Sequence, residues 1–173
     1  KNFDNIVIVG GMGNAMLKNT GVNIGKSICD DGYKYLVEEI LRKSKTHNCQ
    51  IYYPLDVVVS KTLDGNGIIK EINEVNKDEM ILDIGPKTIA SIKNIIEESN
   101  TVLWNGPAGY FENPNFANGT KKILEIIDNK RAKNKIYAVA GGGETVAVIN
   151  KFKKLDSFNF VSTAGGAFLE YLE

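Results

Sequence analysis

Val139-Ala140-Gly141-Gly142-Gly143-Glu144-Thr145-Val146-Ala147 passes from an apolar run through three glycines into an acidic residue, a threonine and a helix-forming segment. This order predicts a strand, a tight turn and a helix, the repeating unit of an α/β fold. Glycines let a backbone approach a bulky anion and adopt positive φ, and the first N–H groups of a helix have no acceptor within it. Helix starts of this kind bind anions. Glu144 and Thr145 stand in the first turn, where a divalent cation carried by phosphates is held directly or through water. Together these residues point to a magnesium nucleotide. They fit equally a plain strand-to-helix connection, with Glu144 favoured by the helix dipole by about 0.3–1 kcal/mol. Local sequence leaves both readings open.

A second segment shifts the balance. Thr101-Val102-Leu103-Trp104-Asn105-Gly106-Pro107-Ala108-Gly109-Tyr110-Phe111-Glu112 is a short strand ending in a polar turn rich in Gly and Pro. Ligands of open parallel sheets lie beyond the carboxyl ends of the strands, which is where both turns are expected. Within the second turn, Glu112 is a candidate acceptor for ribose hydroxyls, or simply a solvated acid.

Further outward, apolar strand candidates at residues 6–9, 51–53, 57–59, 102–104, 136–140 and 158–161 alternate with helical stripes. Leu36, Val37, Ile40 and Leu41 form one stripe, Ile89, Ile92, Ile95 and Ile96 a second, and Ile123, Leu124, Ile126 and Ile127 a third. Short buried strands joined by helices predict a three-layer α/β domain, a mainly parallel, Rossmann-like sheet flanked by helices. Residues 61–77, with Asp64-Gly65-Asn66-Gly67 before Ile68 and Ile69, break the alternation and read as a structural hairpin or excursion.

At 173 residues, 43% hydrophobic and 24% charged, the chain has the size of one ordinary domain, residues 1–173, with a real core. Lys plus Arg and Asp plus Glu both number 21, so no charge excess argues for nucleic acid or a membrane surface. Cys29 and Cys49 lack metal-ligand spacing and suit reduced thiols in a cytoplasmic setting. No run of about 18 apolar residues and no secretory leader is present in the sequence. The first residue, Lys1, is followed closely by a strand.

Two other glycine motifs fail on spacing. Gly21-Val22-Asn23-Ile24-Gly25-Lys26-Ser27 has one residue too few between its glycines for a phosphate-binding P-loop and follows a helix, so Lys26 reads as a surface residue. Gly10-Gly11-Met12-Gly13-Asn14-Ala15 opens like a dinucleotide fingerprint, but Met16 occupies the place of the third small residue, which disfavours a nicotinamide cofactor. Gly10 and Gly11 fit either a backbone surface for an adenine ring or a close strand-to-helix turn. His47 has no recognisable nucleophile partner, and Trp104 reads as core.

Leu82-Asp83-Ile84-Gly85-Pro86-Lys87-Thr88, Trp104-Asn105-Gly106-Pro107, Phe111-Glu112, Phe116-Ala117-Asn118-Gly119-Thr120, Gly141-Gly142-Gly143 and Val161-Ser162-Thr163 occur in the order seen in phosphoglycerate kinases. The chain resembles that family over essentially its whole length, but only its carboxyl-terminal, nucleotide-binding half. The half that takes up 3-phosphoglycerate is expected to be absent. The resemblance implies reversible phosphoryl transfer between 1,3-bisphosphoglycerate and ADP, with Mg2+, in glycolysis, by a cytoplasmic monomer. Carried over by motif, Gly10, Gly11 and Leu82 would line an adenine slot. Asn105, Gly106, Pro107 and Gly109 would approach phosphates or ribose, and Glu112 would hold the ribose. Gly142, Gly143, Glu144 and Thr145 would hold phosphates, with Glu144 toward the metal. Gly143, Gly165 and Gly166 are the candidate catalytic positions, the last two opening a helix that faces the transferring phosphoryl group. Ser162 and Thr163 resemble the hinge region.

Glu144 stands where the family usually has Asp, Ile81 where a glycine is expected, Tyr110 for a small aliphatic residue, and Ala164 and Phe168 for Gly and Ser. The resemblance therefore implies a reshaped base slot and a longer reach to the metal. It also implies that the chain binds ADP or ATP yet lacks turnover by itself. The contrasting expectation is a non-catalytic nucleotide-binding or interaction domain.

Overall fold

Runs of β-branched residues too short to be helices alternate with helices that bury one apolar stripe, and this pattern sets the element order. The computed structural model describes residues 3–29, 31–164 and 170. In chain order it places β1 (Asn5–Val7), α1 (Gly10–Asn19), α2 (Lys34–Thr46), β2 (Gln50–Tyr52), β3 (Asp56–Ser60), β4 (Ile68–Glu71) and β5 (Met80–Ile84). There follow α3 (Pro86–Glu98), β6 (Thr101–Asn105), α4 (Asn118–Ala132), β7 (Tyr137–Gly141), α5 (Gly143–Lys151) and β8 (Phe160–Ser162). None of the described helices is long and apolar enough to cross a membrane.

The expected α/β architecture is present: β1 pairs with β2, β6 with β7, and β7 with β8, all parallel, with helices flanking the strands. One part departs from parallel pairing. Strand β3 runs antiparallel to both β4 and β5, forming a separate three-stranded sheet. Residues 61–77 accordingly contain the turn of a β3–β4 hairpin. Strand β5 was not among the expected strands, because Asp83 interrupts its apolar run.

The main core lies between α3, α4, α5 and the β6–β7–β8 sheet. It includes Ile92 and Ile96 from α3, Ile123, Leu124 and Ile127 from α4, and Val148 and Ile149 from α5. Trp104 belongs to this core, stacked on Phe158 with ring centres 5.9 Å apart. A smaller cluster of Val57, Val59 and Val75 lies under the antiparallel sheet.

Buried polar groups tie helix ends to these layers. The Asp56 carboxylate accepts the N–H groups of Lys87 and Thr88 at 2.9 and 2.8 Å, satisfying two donors at the start of α3. A Cβ on Gly85 would lie 2.3 Å from the Asp56 carboxyl carbon, so Gly85 is required by packing. At the other end of α3, Lys130 of α4 donates to the carbonyls of Ile96, Glu97 and Ser99 at 2.6, 2.7 and 2.5 Å.

Candidate functional site

Parallel register brings the two glycine turns together. Asn105 at the end of β6 pairs with Gly141 at the end of β7, and Gly141 with Ser162 of β8. The chain leaves all three strands at one sheet edge. Gly106 turns with φ +88° and Gly142 with φ +96°, conformations that disfavour any side chain. A Cβ on Gly142 would also stand 2.5 Å from Asn105 Oδ1. Of the three glycines, Gly142 alone has the positive φ expected of the turn.

Helix α5 starts at Gly143, and the space a Cβ would take there holds no atom within 4 Å. Gly143 and Glu144 are exposed, so the first turn of the helix offers open N–H donors beside a carboxylate. Thr145 differs, being fully buried. Its hydroxyl faces inward and accepts the N–H of Gly106 at 2.6 Å, joining the two turns.

The rest of residues 105–110 is held just as firmly. Thr120, also fully buried, accepts the Ala108 N–H at 3.0 Å. Tyr110 N–H donates to the Leu82 carbonyl at 2.7 Å. A Cβ on Gly109 would come within 2.4 Å of the Leu82 oxygen and 2.6 Å of Asp83 Oδ1. Gly109 and Leu82 thus meet one another in packing. Gly10, at φ +61°, lies so that a Cβ would be 3.0 Å from the Pro107 oxygen, and Gly11 is exposed with open space beside it. The structure therefore links Gly10, Asn105, Gly106, Pro107, Gly142, Gly143, Glu144 and Thr145 near the ends of β1, β6 and β7, with Gly109 seated on Leu82 in the middle of β5. Glu112 is exposed one turn further on. Gly165 and Gly166 lie outside the described residues.

Asp83 is the residue that sequence reasoning did not single out. Its carboxylate is 1% exposed and accepts the N–H groups of Gly119 and Ile84 at 2.7 and 2.9 Å. Burial pushes its pKa up from 3.8 to about 7, against the opposing pull of those N–H donors. An acidic residue between Leu82 and Ile84 in an apolar strand was the available signal.

Other expectations resolve locally. Gly25, at φ +57°, is pressed so closely on the main chain of Glu79 and Asn76 that a Cβ would lie 2.2 and 2.5 Å from their oxygens. Lys26 is exposed in that turn, as is His47 at the end of α2. Among the described residues no group of three or more His, Cys, Asp or Glu could hold a metal by itself. The chemistry that the site offers is anion capture by main-chain donors, with Glu144 as a lone carboxylate beside them.

A family model described as phosphoglycerate kinase matches residues 1–173. The phosphoglycerate kinase of Francisella philomiragia is 44% identical over 170 residues, covering 97% of this chain and 42% of that protein. That of Xanthobacter autotrophicus is 41% identical and covers 100% of this chain and 44% of its own length. Among solved structures, phosphoglycerate kinase from Coxiella burnetii matches with a TM-score of 0.90 at 37% identity, over 98% of this chain and 44% of that one. The enzyme from Pyrococcus horikoshii, at 24% identity and a TM-score of 0.73, supports the fold alone. The chain thus spans less than half the length of the relatives it matches, 42% and 44% for the first two.

Proposed function

Since this chain belongs to the phosphoglycerate kinase family, we propose that it is the nucleotide-binding half of such an enzyme. The reaction is reversible phosphoryl transfer between 1,3-bisphosphoglycerate and Mg-ADP, giving 3-phosphoglycerate and ATP in glycolysis. The observation carrying this reading is the in-register pair of turns at Asn105 and Gly141, with open space at Gly143 above a helix start.

In this reading Gly10, Gly11 and Leu82 border the adenine, Asn105, Gly106 and Pro107 follow the ribose and phosphates, and Glu112 accepts from ribose hydroxyls. Gly143 and the first N–H groups of α5 take the terminal phosphates, and Gly142, whose own N–H donates to the Ser162 carbonyl at 3.1 Å, shapes the turn that presents them. Thr145, fully buried, contributes by holding the Gly106 turn through its hydroxyl, and Gly109 acts by seating its turn on β5. The exposed Glu144 carboxylate beside the open cradle fits a Mg2+ ion carried by the nucleotide, and that ion would supply charge neutralisation. Phosphoryl transfer requires positioning and charge compensation more than a protein base, which matches a site without an acid/base pair. Gly143, with Gly165 and Gly166, is the proposed catalytic surface. The 3-phosphoglycerate or 1,3-bisphosphoglycerate site belongs to a second half, without which this chain has no turnover. A cytoplasmic monomer is part of the same reading.

Calorimetric titration of the chain with ADP, with and without Mg2+, tests it. Magnesium-dependent binding is expected; heat no different from buffer dilution would leave the nucleotide reading without support. Turnover of 3-phosphoglycerate by the isolated chain would overturn its dependence on a second half.

A further inference from the structure

We propose that Lys151 is a positioning residue for the ribose of the nucleotide, acting through Glu112. The inference rests on the nucleotide-site reading above and adds to it a residue outside every glycine motif. Lys151 closes α5, the same helix whose first residue, Gly143, borders the phosphate cradle. Its Nζ donates to the Phe111 carbonyl at 2.7 Å, with the Glu112 carbonyl at 3.4 Å. The ammonium also lies 5.3 Å from the centre of the Phe111 ring, a cation–π distance.

These contacts join an anchored residue to an exposed one. Phe111 is 8% exposed and belongs to the main core, whereas Glu112 projects into solvent. Two successive carbonyls converging on one cation restrain the two peptide planes that meet at the Glu112 Cα, and with them the direction in which the Glu112 side chain leaves the backbone. Without that cation both carbonyls turn to water, and Glu112 is oriented only by the turn's own hydrogen bonds, Phe111 N–H to the Gly109 carbonyl at 2.9 Å and Asn113 N–H to the Tyr110 carbonyl at 3.2 Å. One helix then orients the nucleotide at both ends, with main-chain N–H groups at its start and a side-chain ammonium at its finish.

The test compares Mg-ADP with Mg-2′,3′-dideoxy-ADP, which lacks the hydroxyls that Glu112 would bind, using calorimetry on the whole 173-residue chain. Lys151→Met keeps the apolar stem and removes the charge at an exposed position, so the variant folds. ADP affinity is expected to fall about 5-fold, a fraction of what a charge-assisted hydrogen bond contributes, because Glu112 is loosened and not removed, with dideoxy-ADP affinity unchanged within two-fold. Lys151→Arg should recover most of the ADP affinity, and in a Glu112→Gln background Lys151→Met should have no further effect. Equal losses on both nucleotides, or no loss on ADP, would overturn the role of Lys151 while leaving the nucleotide site standing. Absence of ADP binding by the unsubstituted chain would instead remove the site and the positioning role together.

Discussion

Asp83 should make this domain less stable as pH rises from 5 to 8, the reverse of the usual effect of a carboxylate that is paired on folding. Its folded pKa, about 7, lies above the ordinary 3.8, so between those values the folded chain holds a proton that the unfolded chain has released. Stability is then greatest below the unfolded value and is lost as pH climbs through the folded one. At about 1.4 kcal/mol per pH unit the full span is worth about 4 kcal/mol, of which about 2–3 kcal/mol falls between pH 5 and 8. Glu79 and Asp128 have lowered pKa values, the first held by the Asn76 N–H and Lys70, the second by Lys154 and Ser157. Their stabilisation is lost only as pH falls below the ordinary values of 4.5 and 3.8, outside this window. Cys49, raised by burial from 9.0, acts above it. Thermal unfolding of a chain this long should shift by about 5–10 °C between pH 5 and 8. Asp83→Asn keeps an acceptor for the Gly119 N–H, removes the titration, and should flatten the profile. A melting temperature that is level or rising over this range in the unsubstituted chain, or a fall that persists in Asp83→Asn, would refute the argument.

Two glycine substitutions separate binding from packing. Gly143→Val places a branched side chain in open space above the helix start, so Mg-ADP affinity should fall at least 10-fold while stability to urea changes by under about 0.5 kcal/mol; unchanged affinity in calorimetry would rule out the cradle. Gly109→Ala drives a Cβ onto the Leu82 oxygen and Asp83, so it should cost about 1–3 kcal/mol in the same urea titration, and a neutral result would mean that the turn is not seated on β5 as described.

The strand, glycine turn and helix around residues 139–147 could be read from sequence because every signal involved is local. The meeting of Asn105 with Gly141 followed from the rule for parallel sheets, and the register confirms it. Strand β5 was illegible because Asp83 looks wrong for a buried strand until its partner, the Gly119 N–H, is known, and that partner lies 36 residues away. The inward hydroxyl of Thr145 escaped for the same reason, since Gly106 is 39 residues distant. Gly109 was read as making room for a ligand. In the fold it makes room for the protein, against Leu82 and Asp83. A sequence shows that a glycine or a hydroxyl is needed; which neighbour needs it depends on non-local packing.

The hydrogen bond from Gly106 to Thr145 also bears on how a ligand is received. Residues 105–106 lie at the surface, yet the Gly106 N–H ends on a hydroxyl that water does not reach. The turn cannot swing outward without taking this partner from the buried Thr145 hydroxyl. Ordering backbone costs about 1–2 kcal/mol per residue, and here that loss is taken during folding, before any anion arrives. Association at this edge should therefore show little of the unfavourable entropy of loop closure. The Gly106 amide, though part of a surface turn, should exchange its hydrogen with solvent as slowly as amides inside the sheet.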